Sequence, residues 1–204
     1  MVQHYRPIWV GKNYDNGGIF DKKIMIIAES TYNEEGKDTS QYNILQAEDH
    51  FSAYIGVTRL YRWHQYRERL VKAFLNMQAL SLNAVEQFWH SVVFFIFVED
   101  TLTKSGVRPT KEQWENHRPI EKVFENYNPD LVVLTSCALY DWWVKNKPVA
   151  LTKGHKIAGA QRDQTYQHVT NSGKKSLIYG IKHPSFCSPS KEYRYLNEVG
   201  VIAK

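Results

Sequence analysis

Apolar residues along this chain fall into two patterns, short unbroken runs and longer stretches with helical spacing. The unbroken runs are rich in β-branched and aromatic residues, which is typical of strands buried on both faces of a sheet. We predict such strands at residues 23–28, 92–98, 131–135 and 176–181. Each of these runs is too short to be a typical helix.

Helical spacing is clearest downstream of Thr58, which is a suitable N-cap. The apolar positions that repeat there are Leu60, Trp63, Tyr66, Leu70, Phe74 and Met77. Further helices are predicted at residues 81–89, after the capping-box sequence 110–113, at 119–127, at 138–145 and after Ser188-Pro189.

Strands that alternate with helices predict a largely parallel sheet with helices on both faces. The predicted fold class is therefore α/β, a three-layer α/β/α sandwich with a central, mainly parallel sheet of four or five strands. Residues 1–22 are predicted to form an irregular N-terminal arm, and the polar segment 150–175 has at most a weak strand near 156–158. The chain has 204 residues and no internal repeat or linker, so we expect one domain, residues 1–204.

Composition narrows the possible partners and the compartment. No apolar run approaches the roughly 18 residues that span a bilayer, and the N-terminus lacks the pattern of a secretory signal. We therefore expect a cytoplasmic protein without a membrane partner. The formal net charge of +5 is compatible with a polyanionic partner such as nucleic acid. The oligomeric state is left open.

The cysteines and histidines do not indicate a metal site or another cofactor. Cys137 and Cys187 are the two cysteines, which excludes a four-cysteine cluster and leaves a disulfide possible by parity. The eight histidines are scattered, without the HxxxH or HExxH spacing of zinc sites. We expect no bound metal and no cofactor.

Two residues follow predicted strands near opposite ends of the chain. Glu29 comes directly after the first strand, and His183 comes shortly after the last, in the turn His183-Pro184-Ser185. Ligands of open α/β sheets bind beyond the carboxyl ends of the strands, so a carboxylate and an imidazole could converge in one cleft. The alternatives are an acid that caps a helix or faces water, and a histidine bonded to a backbone carbonyl.

Polar and basic residues close to His183 are candidates for contacts with a phosphate backbone. Ser185 offers a hydroxyl and a backbone N–H, and Lys191 and Arg194 follow within the next turns. The basic flank of the long helix, Arg62, Arg69 and Lys72, is either a solvated face or a surface that tracks phosphates.

The order of these features resembles the uracil-DNA glycosylase-like superfamily, and most closely its small bacterial and phage-type members. Ala28-Glu29-Ser30-Thr31-Tyr32 is similar to the first motif of that family, although Ala28 stands where glycine is usual. His183-Pro184-Ser185 matches the second motif. Between these two motifs, three further segments occur in the order that is usual for the family. They are Arg108-Pro109-Thr110, residues 128–134 and Trp142-Trp143.

The resemblance implies roles for individual residues. Glu29 would stabilise positive charge on a sugar or aim a water, and His183 would steady the departing base. The residues implied around the base or ligand pocket are Ser30, Tyr32, Phe95 and Ile96. Active relatives carry a base-reading asparagine in the middle strand, whereas this chain has Ile96 there. An isoleucine cannot form the paired hydrogen bonds that select uracil, so the resemblance does not carry over specificity for uracil.

Three functions remain open on this reading. The first is base excision in DNA repair, in which a DNA N-glycosylase (a hydrolase) cleaves the N-glycosidic bond of a flipped nucleotide. The second keeps a nucleic-acid cleft without the chemistry, with DNA favoured over RNA. The third is a catalytically silent α/β module that binds a nucleotide-like ligand or a protein partner.

Overall fold

The computed structural model describes most of the chain outside its N-terminus and one long internal segment. The described residues are 5, 8–32, 62–99, 101–102 and 107–201, with the side chains of residues 31, 32, 62–65 and 101 excluded. The predicted N-cap Thr58 and the segment after Tyr32 therefore lie outside the described residues.

Seven strands form one sheet, in the order β1-β4-β2-β6-β9-β8-β7. Their bounds are β1 Trp9–Val10, β2 Ile24–Ala28, β4 Val92–Ile96, β6 Leu131–Leu134, β7 Thr152–Lys156, β8 Gln164–Val169 and β9 Lys175–Gly180. The four central strands β4, β2, β6 and β9 are parallel, which confirms the predicted parallel core. A separate two-stranded parallel ladder joins β3 (Thr31–Tyr32) and β5 (Thr101–Leu102).

Helices cover both faces of the sheet. Their bounds are α1 Arg62–Leu75, α2 Leu82–His90, α3 Lys111–Glu115, α4 Ile120–Tyr127, α5 Cys137–Asn146 and α6 Pro189–Glu198. Buried residues of α1, α2 and α6 pack on one face, and those of α4 and α5 pack on the other. Side chains of β2 alternate between the two faces of the sheet. Those in the core on the α1 face are Ile24, Ile26 and Ala28, and those in the core on the α5 face are Met25 and Ile27.

The order of the crossovers creates a switch point in the sheet. The chain passes from β2 to β4 through α1 and α2 on one face. It then returns to β6, on the other side of β2, through α3 and α4, and α4 packs on the opposite face. In open α/β sheets ligands bind where the strand order reverses in this way. That point lies beyond the carboxyl ends of β2 and β6.

The predicted number of strands, four or five, is too low because the antiparallel edges were missed. Strand β1 is only two residues long, and β7 is polar and mostly exposed along its length. An edge strand that faces water on both sides carries no apolar alternation for a sequence pattern to detect. The weak strand expected at 156–158 is instead the end of β7, which stops at Lys156.

The turn after β9, residues 181–187, is attached to two helices. Arg69 of α1 donates from Nη1 to the Ser185 carbonyl at 2.6 Å. Buried Glu192 of α6 accepts a hydrogen bond from the backbone N–H of Lys182. The Cys187 thiol donates to the Pro184 carbonyl at 3.4 Å within the turn. These contacts hold the segment that carries His183 against the helical layer.

Gly180, the last residue of β9, has no room for a side chain. A Cβ at this position would lie 2.4 Å from Cδ2 and 2.8 Å from Cβ of Tyr140 on α5. We predict that Gly180→Ala lowers the free energy of unfolding by about 1–3 kcal/mol, because the Tyr140 ring cannot move away from its own Cβ. Urea denaturation measures the loss. Combining Gly180→Ala with Tyr140→Gly removes both the ring and the Cβ that the new methyl group would meet. The double variant should then lose less stability than the two single variants added together, and strictly additive losses contradict this explanation.

Glu192 makes stability depend on pH. Burial raises the pKa of its carboxyl from 4.5 to about 7. The folded protein therefore holds a proton that the unfolded chain releases, and stability falls as pH rises from 4.5 through 7, by about 3 kcal/mol at most. We predict that Glu192→Gln removes this decline and raises the melting temperature at pH 8, since an amide oxygen still accepts from Lys182. Glu198→Gln, an exposed change on the same helix, is the control; identical pH profiles for Glu192→Gln and the unaltered protein contradict the prediction.

Candidate active site at the carboxyl edge of the sheet

Polar residues follow the carboxyl ends of three neighbouring parallel strands, at and beside the switch point. Glu29 follows β2, Thr135 and Ser136 follow β6, and His183 follows β9. The strands are in level register, since Ile27 is opposite Leu134 and Leu134 is opposite Gly180. Residues far apart in the sequence therefore lie at one edge of the sheet. We call the space beside Glu29, Thr135, Ser136 and His183 the carboxyl-edge crevice.

The Glu29 carboxylate is buried, and each of its oxygens accepts at least one hydrogen bond. Its side chain is 4% exposed, and it accepts a hydrogen bond from the Ser136 hydroxyl on Oε2. Arg108 donates from Nη1 to both carboxylate oxygens, at 3.0 and 3.1 Å. The Glu29 carbonyl accepts from the backbone N–H of Val98 at 3.0 Å, which fixes the residue between β2 and the end of β4.

Ser136 links this carboxylate to a helix. It is the N-cap of α5, and its Oγ accepts from the N–H groups of Ala138 and Leu139 at 3.1 and 3.4 Å. Both of those contacts use oxygen lone pairs, so the hydroxyl proton is directed to Glu29. The positive end of the α5 dipole also lies on this side, where a negative charge is favoured.

His183 presents a defined hydrogen-bond donor. Its Nδ1 accepts from the backbone N–H of Ser185 at 3.3 Å. In the neutral ring the proton is therefore carried on Nε2, which becomes the donor. Burial is the main cause that lowers the pKa of His183; the Arg108 guanidinium acts in the same direction, and the Glu29 carboxylate opposes it. The imidazole is thus neutral near pH 7.

The two predicted catalytic residues are brought together. The register of the strands brings Glu29 and His183 to the same edge of the sheet, since Glu29 follows β2 and His183 follows β9 on the two sides of β6. The Glu29 carboxylate and the Arg108 guanidinium both affect the pKa of the His183 imidazole, in opposite directions. The rings beside His183 are those of Tyr66, with centroids 5.2 Å apart, and Phe186, at 5.6 Å. Phe186 is 73% exposed, which is unusual for a phenylalanine.

Tyr66 is a site residue that the sequence pattern assigned to the core. Its hydroxyl lies 2.6 Å from Oγ1 of Thr135, which itself donates to the Ile27 carbonyl at 3.3 Å. Burial raises the pKa of the Tyr66 hydroxyl, so it remains protonated. Helical spacing correctly placed this residue on the inner side of α1, but it could not show that the inner side there faces the end of β6.

Ser30 carries a buried hydroxyl without a hydrogen-bond partner. Such groups are rare in folded proteins, since an unpaired buried hydroxyl costs free energy. Ser30 follows Glu29 directly, so the unpaired oxygen lies at the carboxyl end of β2. Tyr32, the other pocket residue expected from the first motif, has its backbone in β3, and its side chain lies outside the described residues.

Phe95 and Ile96 lie on opposite faces of the sheet because strand residues alternate. Phe95 is buried in the core under α4 and α5, with the Arg118 guanidinium 5.0 Å from its ring centroid. Ile96 is opposite Ala28 and belongs to the core on the α1 face. The structure therefore does not bring the two together in one pocket, and Ile96 is the residue at the last position of β4.

The residues expected at a nucleic-acid backbone make contacts within the protein. The Ser185 N–H, which we expected to meet a phosphate, donates instead to His183. Lys191 and Arg194 are exposed on α6 and lie over the ring of Tyr195, at 5.9 and 4.9 Å from its centroid. In the described part of the chain, neither cation has a hydrogen bond or ion pair with the crevice residues.

Arg108 and Ser136 were given no role by the sequence analysis. Ser136 had a readable signal, because a serine between a strand and a helix is a typical N-cap. Arg108 belongs to a segment named for the family resemblance, but no local signal indicated its contact with Glu29, which lies 79 positions away in the sequence.

Within the described ranges, no group of three or more histidine, cysteine or acidic side chains has the arrangement of a metal site. Cys137 and Cys187 are both free thiols, so the disulfide that parity allowed is not formed. None of the described helices is long and apolar enough to cross a bilayer.

Comparison with known proteins adds no family to this geometry. No protein-family model matches the chain, and no curated protein matches it at a significant level.

Proposed function

We propose that this protein is a base-excision N-glycosylase of the uracil-DNA glycosylase-like type, acting on a nucleotide turned out of a nucleic-acid chain. One observation carries the proposal. A buried carboxylate, Glu29, and a neutral imidazole with Nε2–H as its donor, His183, follow β2 and β9 at the same edge of the sheet.

The two groups suit the charges that develop when an N-glycosidic bond breaks. The C1′–N bond lengthens, positive charge spreads over the sugar, and the electron pair leaves with the base. The Glu29 carboxylate would stabilise the sugar cation or orient a water for attack at C1′. The His183 Nε2–H would donate to the oxygen or nitrogen of the base that becomes negative. Water then supplies the hydroxyl at C1′, and the base takes up a proton from solvent.

A neutral histidine is suited to this role. A donor directed at a developing anion stabilises it without first losing a proton, provided that its position is held in advance. The contact from Ser185 to Nδ1 and the attachment of the turn by Arg69 and Glu192 supply that preorganisation.

Phe186 supports extrusion of a nucleotide. Proteins that unstack a base pair often insert an apolar side chain between the bases that remain. Phe186 lies next to His183, is 73% exposed and belongs to the same short turn. An exposed aromatic ring beside the imidazole could fill the gap left by the base that enters the crevice.

The end of β4 lacks a side chain that can hydrogen-bond a base, and this narrows the class of base that the protein would recognise. Ile96 offers no hydrogen-bonding group at the position expected to read uracil, which favours a substrate recognised through other edges. Among the described residues, Ser30 has a buried hydroxyl without a hydrogen-bond partner at the carboxyl end of β2, and this hydroxyl can donate to or accept from a ligand.

A second candidate keeps the crevice and omits the chemistry. It is favoured by one contact, because the Arg108 guanidinium already occupies both oxygens of Glu29. In that case the crevice binds a nucleotide or a free base without cleaving it. Raised melting temperature with free bases or nucleotides, together with no bond cleavage in any oligonucleotide, would favour this candidate.

We predict that Glu29→Gln and His183→Ala each reduce base excision by roughly 10²–10⁴-fold, because each removes one stabilising charge or donor from the transition state. Oligonucleotides carrying uracil, hypoxanthine or alkylated bases are incubated with the protein, and alkali then reveals abasic sites as strand breaks. Glu198→Gln and His155→Asn, which change exposed residues of the same types, are the controls. Absence of breaks with the unaltered protein at high concentration on every lesion would refute the proposal.

Ser30→Ala separates a ligand contact from a structural role. The hydroxyl has no hydrogen-bond partner among the residues that the structure describes, so its removal should leave the melting temperature unchanged or slightly higher. We predict that the same change weakens binding of the excised base or lowers the excision rate by roughly 10-fold. Equal rates and equal base affinity for the variant and the unaltered protein would show that the hydroxyl does not contact the ligand.

A further inference from the structure

Two acid–arginine pairs lie at the carboxyl edge, and they differ in exposure. Glu99, just after β4, is paired with Arg118, and both side chains are buried, at 7% and 5% exposed. Glu29 is equally buried at 4%, but its partner Arg108 is 69% exposed. The first pair is part of the core. The second has a cation that lies between a buried carboxylate and solvent.

In the part of the chain that the structure describes, Arg108 uses only one of its nitrogens for hydrogen bonds. All its hydrogen bonds among the described residues run through Nη1, which contacts both oxygens of Glu29. The other edge of the guanidinium, formed by Nε and Nη2, remains for a further partner. That edge presents two parallel N–H donors, the arrangement that matches two oxygens of a phosphate.

The backbone that carries Arg108 is anchored. Pro109 is buried, and Thr110 begins α3 with a complete capping box. The Thr110 N–H donates to Gln113 at 2.9 Å, and the Gln113 N–H donates to the Thr110 hydroxyl at 3.3 Å. The guanidinium therefore extends from a fixed position, which reduces the entropy lost when it binds a second group.

If the substrate is an anion, the negative charge of Glu29 must be offset by a cation close to both of them. A phosphate that approaches a buried carboxylate meets electrostatic repulsion, which is stronger at the edge of a low-dielectric interior than in water. A guanidinium shared by the two anions offsets that repulsion. Arg108 already binds one of them and is exposed to the other.

We propose that Arg108 is a phosphate-binding residue that bridges the crevice and the nucleic-acid backbone. Its Nη1 stays on Glu29 while its Nε and Nη2 edge binds a phosphate next to the nucleotide held in the crevice. The inference rests on the proposed function only for the placement of that nucleotide. It adds a specificity determinant, because a free nucleoside lacks the phosphate that Arg108 would hold.

Binding to modified oligonucleotides tests this role without any need for turnover. The probes are fluorescent oligonucleotides with a tetrahydrofuran abasic analogue, in which single phosphates on either side of the analogue are replaced in turn by uncharged methylphosphonates. For the unaltered protein, we predict that one replacement weakens binding by about 5–50-fold, the range expected for a charge-assisted contact. With Arg108→Gln, the same replacement has no further effect, because its partner is already absent.

Salt dependence gives a second measurement on the same variants. Each phosphate contact contributes about 0.9 to the slope of log affinity against log salt on duplex DNA and about 0.7 on single strands. Arg108→Gln should lower the slope by that amount. Arg108→Lys should retain the slope but lose affinity, since it keeps the charge without the two-donor edge. Lys153→Gln, an exposed change of equal charge on the edge strand β7, is the control.

The results separate this inference from the proposed function. Suppose that the methylphosphonate effect is lost in Arg108→Gln and that no form of the protein excises a base. This result supports Arg108 as the phosphate-binding residue and refutes the glycosylase. Excision with an unchanged salt slope and an unchanged methylphosphonate effect in Arg108→Gln refutes the inference and leaves the glycosylase standing. Equal changes in Arg108→Gln and Lys153→Gln also refute it, because the effect would then reflect net charge alone.

Discussion

The buried charge of Glu29 is the constraint on which the carboxyl edge depends. Removing a carboxylate from water costs several kcal/mol unless hydrogen bonds and an opposite charge compensate it. Here the compensation comes from the Ser136 hydroxyl, the start of α5 and the Arg108 guanidinium. Glu29 and these groups belong to three separate segments, so the edge forms only when β2, the junction of β6 with α5 and the segment before α3 are all in place.

The same hydroxyl serves two structural purposes. Ser136 caps α5 by accepting from two backbone N–H groups, and it directs its proton to Glu29. Formation of the helix and stabilisation of the acid are therefore coupled through one side chain. Because α5 packs on the face that holds Trp143 and Phe124, the position of the carboxylate is tied to the packing of that core.

The imidazole of His183 is held by a different set of contacts and, unlike the Glu29 carboxylate, is uncharged. Burial keeps His183 neutral, and the Ser185 N–H selects the tautomer with Nε2 as donor. Support comes from α1 through Arg69 and from α6 through Glu192, on the other helical layer. The crevice thus combines a charged acceptor fixed by one layer with an uncharged donor fixed by the other. Fold alone does not determine function, so the functional argument depends on this pairing of groups.

Local patterns in the sequence determined most of the parallel core and its helices. Apolar runs located β2, β4, β6 and β9 because a strand buried on both faces must be apolar throughout. The Thr110 capping box also formed as predicted, since both of its hydrogen bonds are local. The position of Glu29 and His183 at strand ends followed from the same runs.

Only the tertiary structure decided which distant residues meet. The sheet order set β2 beside β6 and β6 beside β9, which brought Ser136 and His183 to Glu29. Arg108 reached Glu29, and Tyr66 reached Thr135, through contacts that no local spacing encodes. The polar hairpin of β7 and β8 also escaped prediction, since edge pairing depends on backbone hydrogen bonds and not on an apolar pattern. Sequence patterns report burial and local hydrogen bonding, whereas contacts between segments depend on how the whole chain packs.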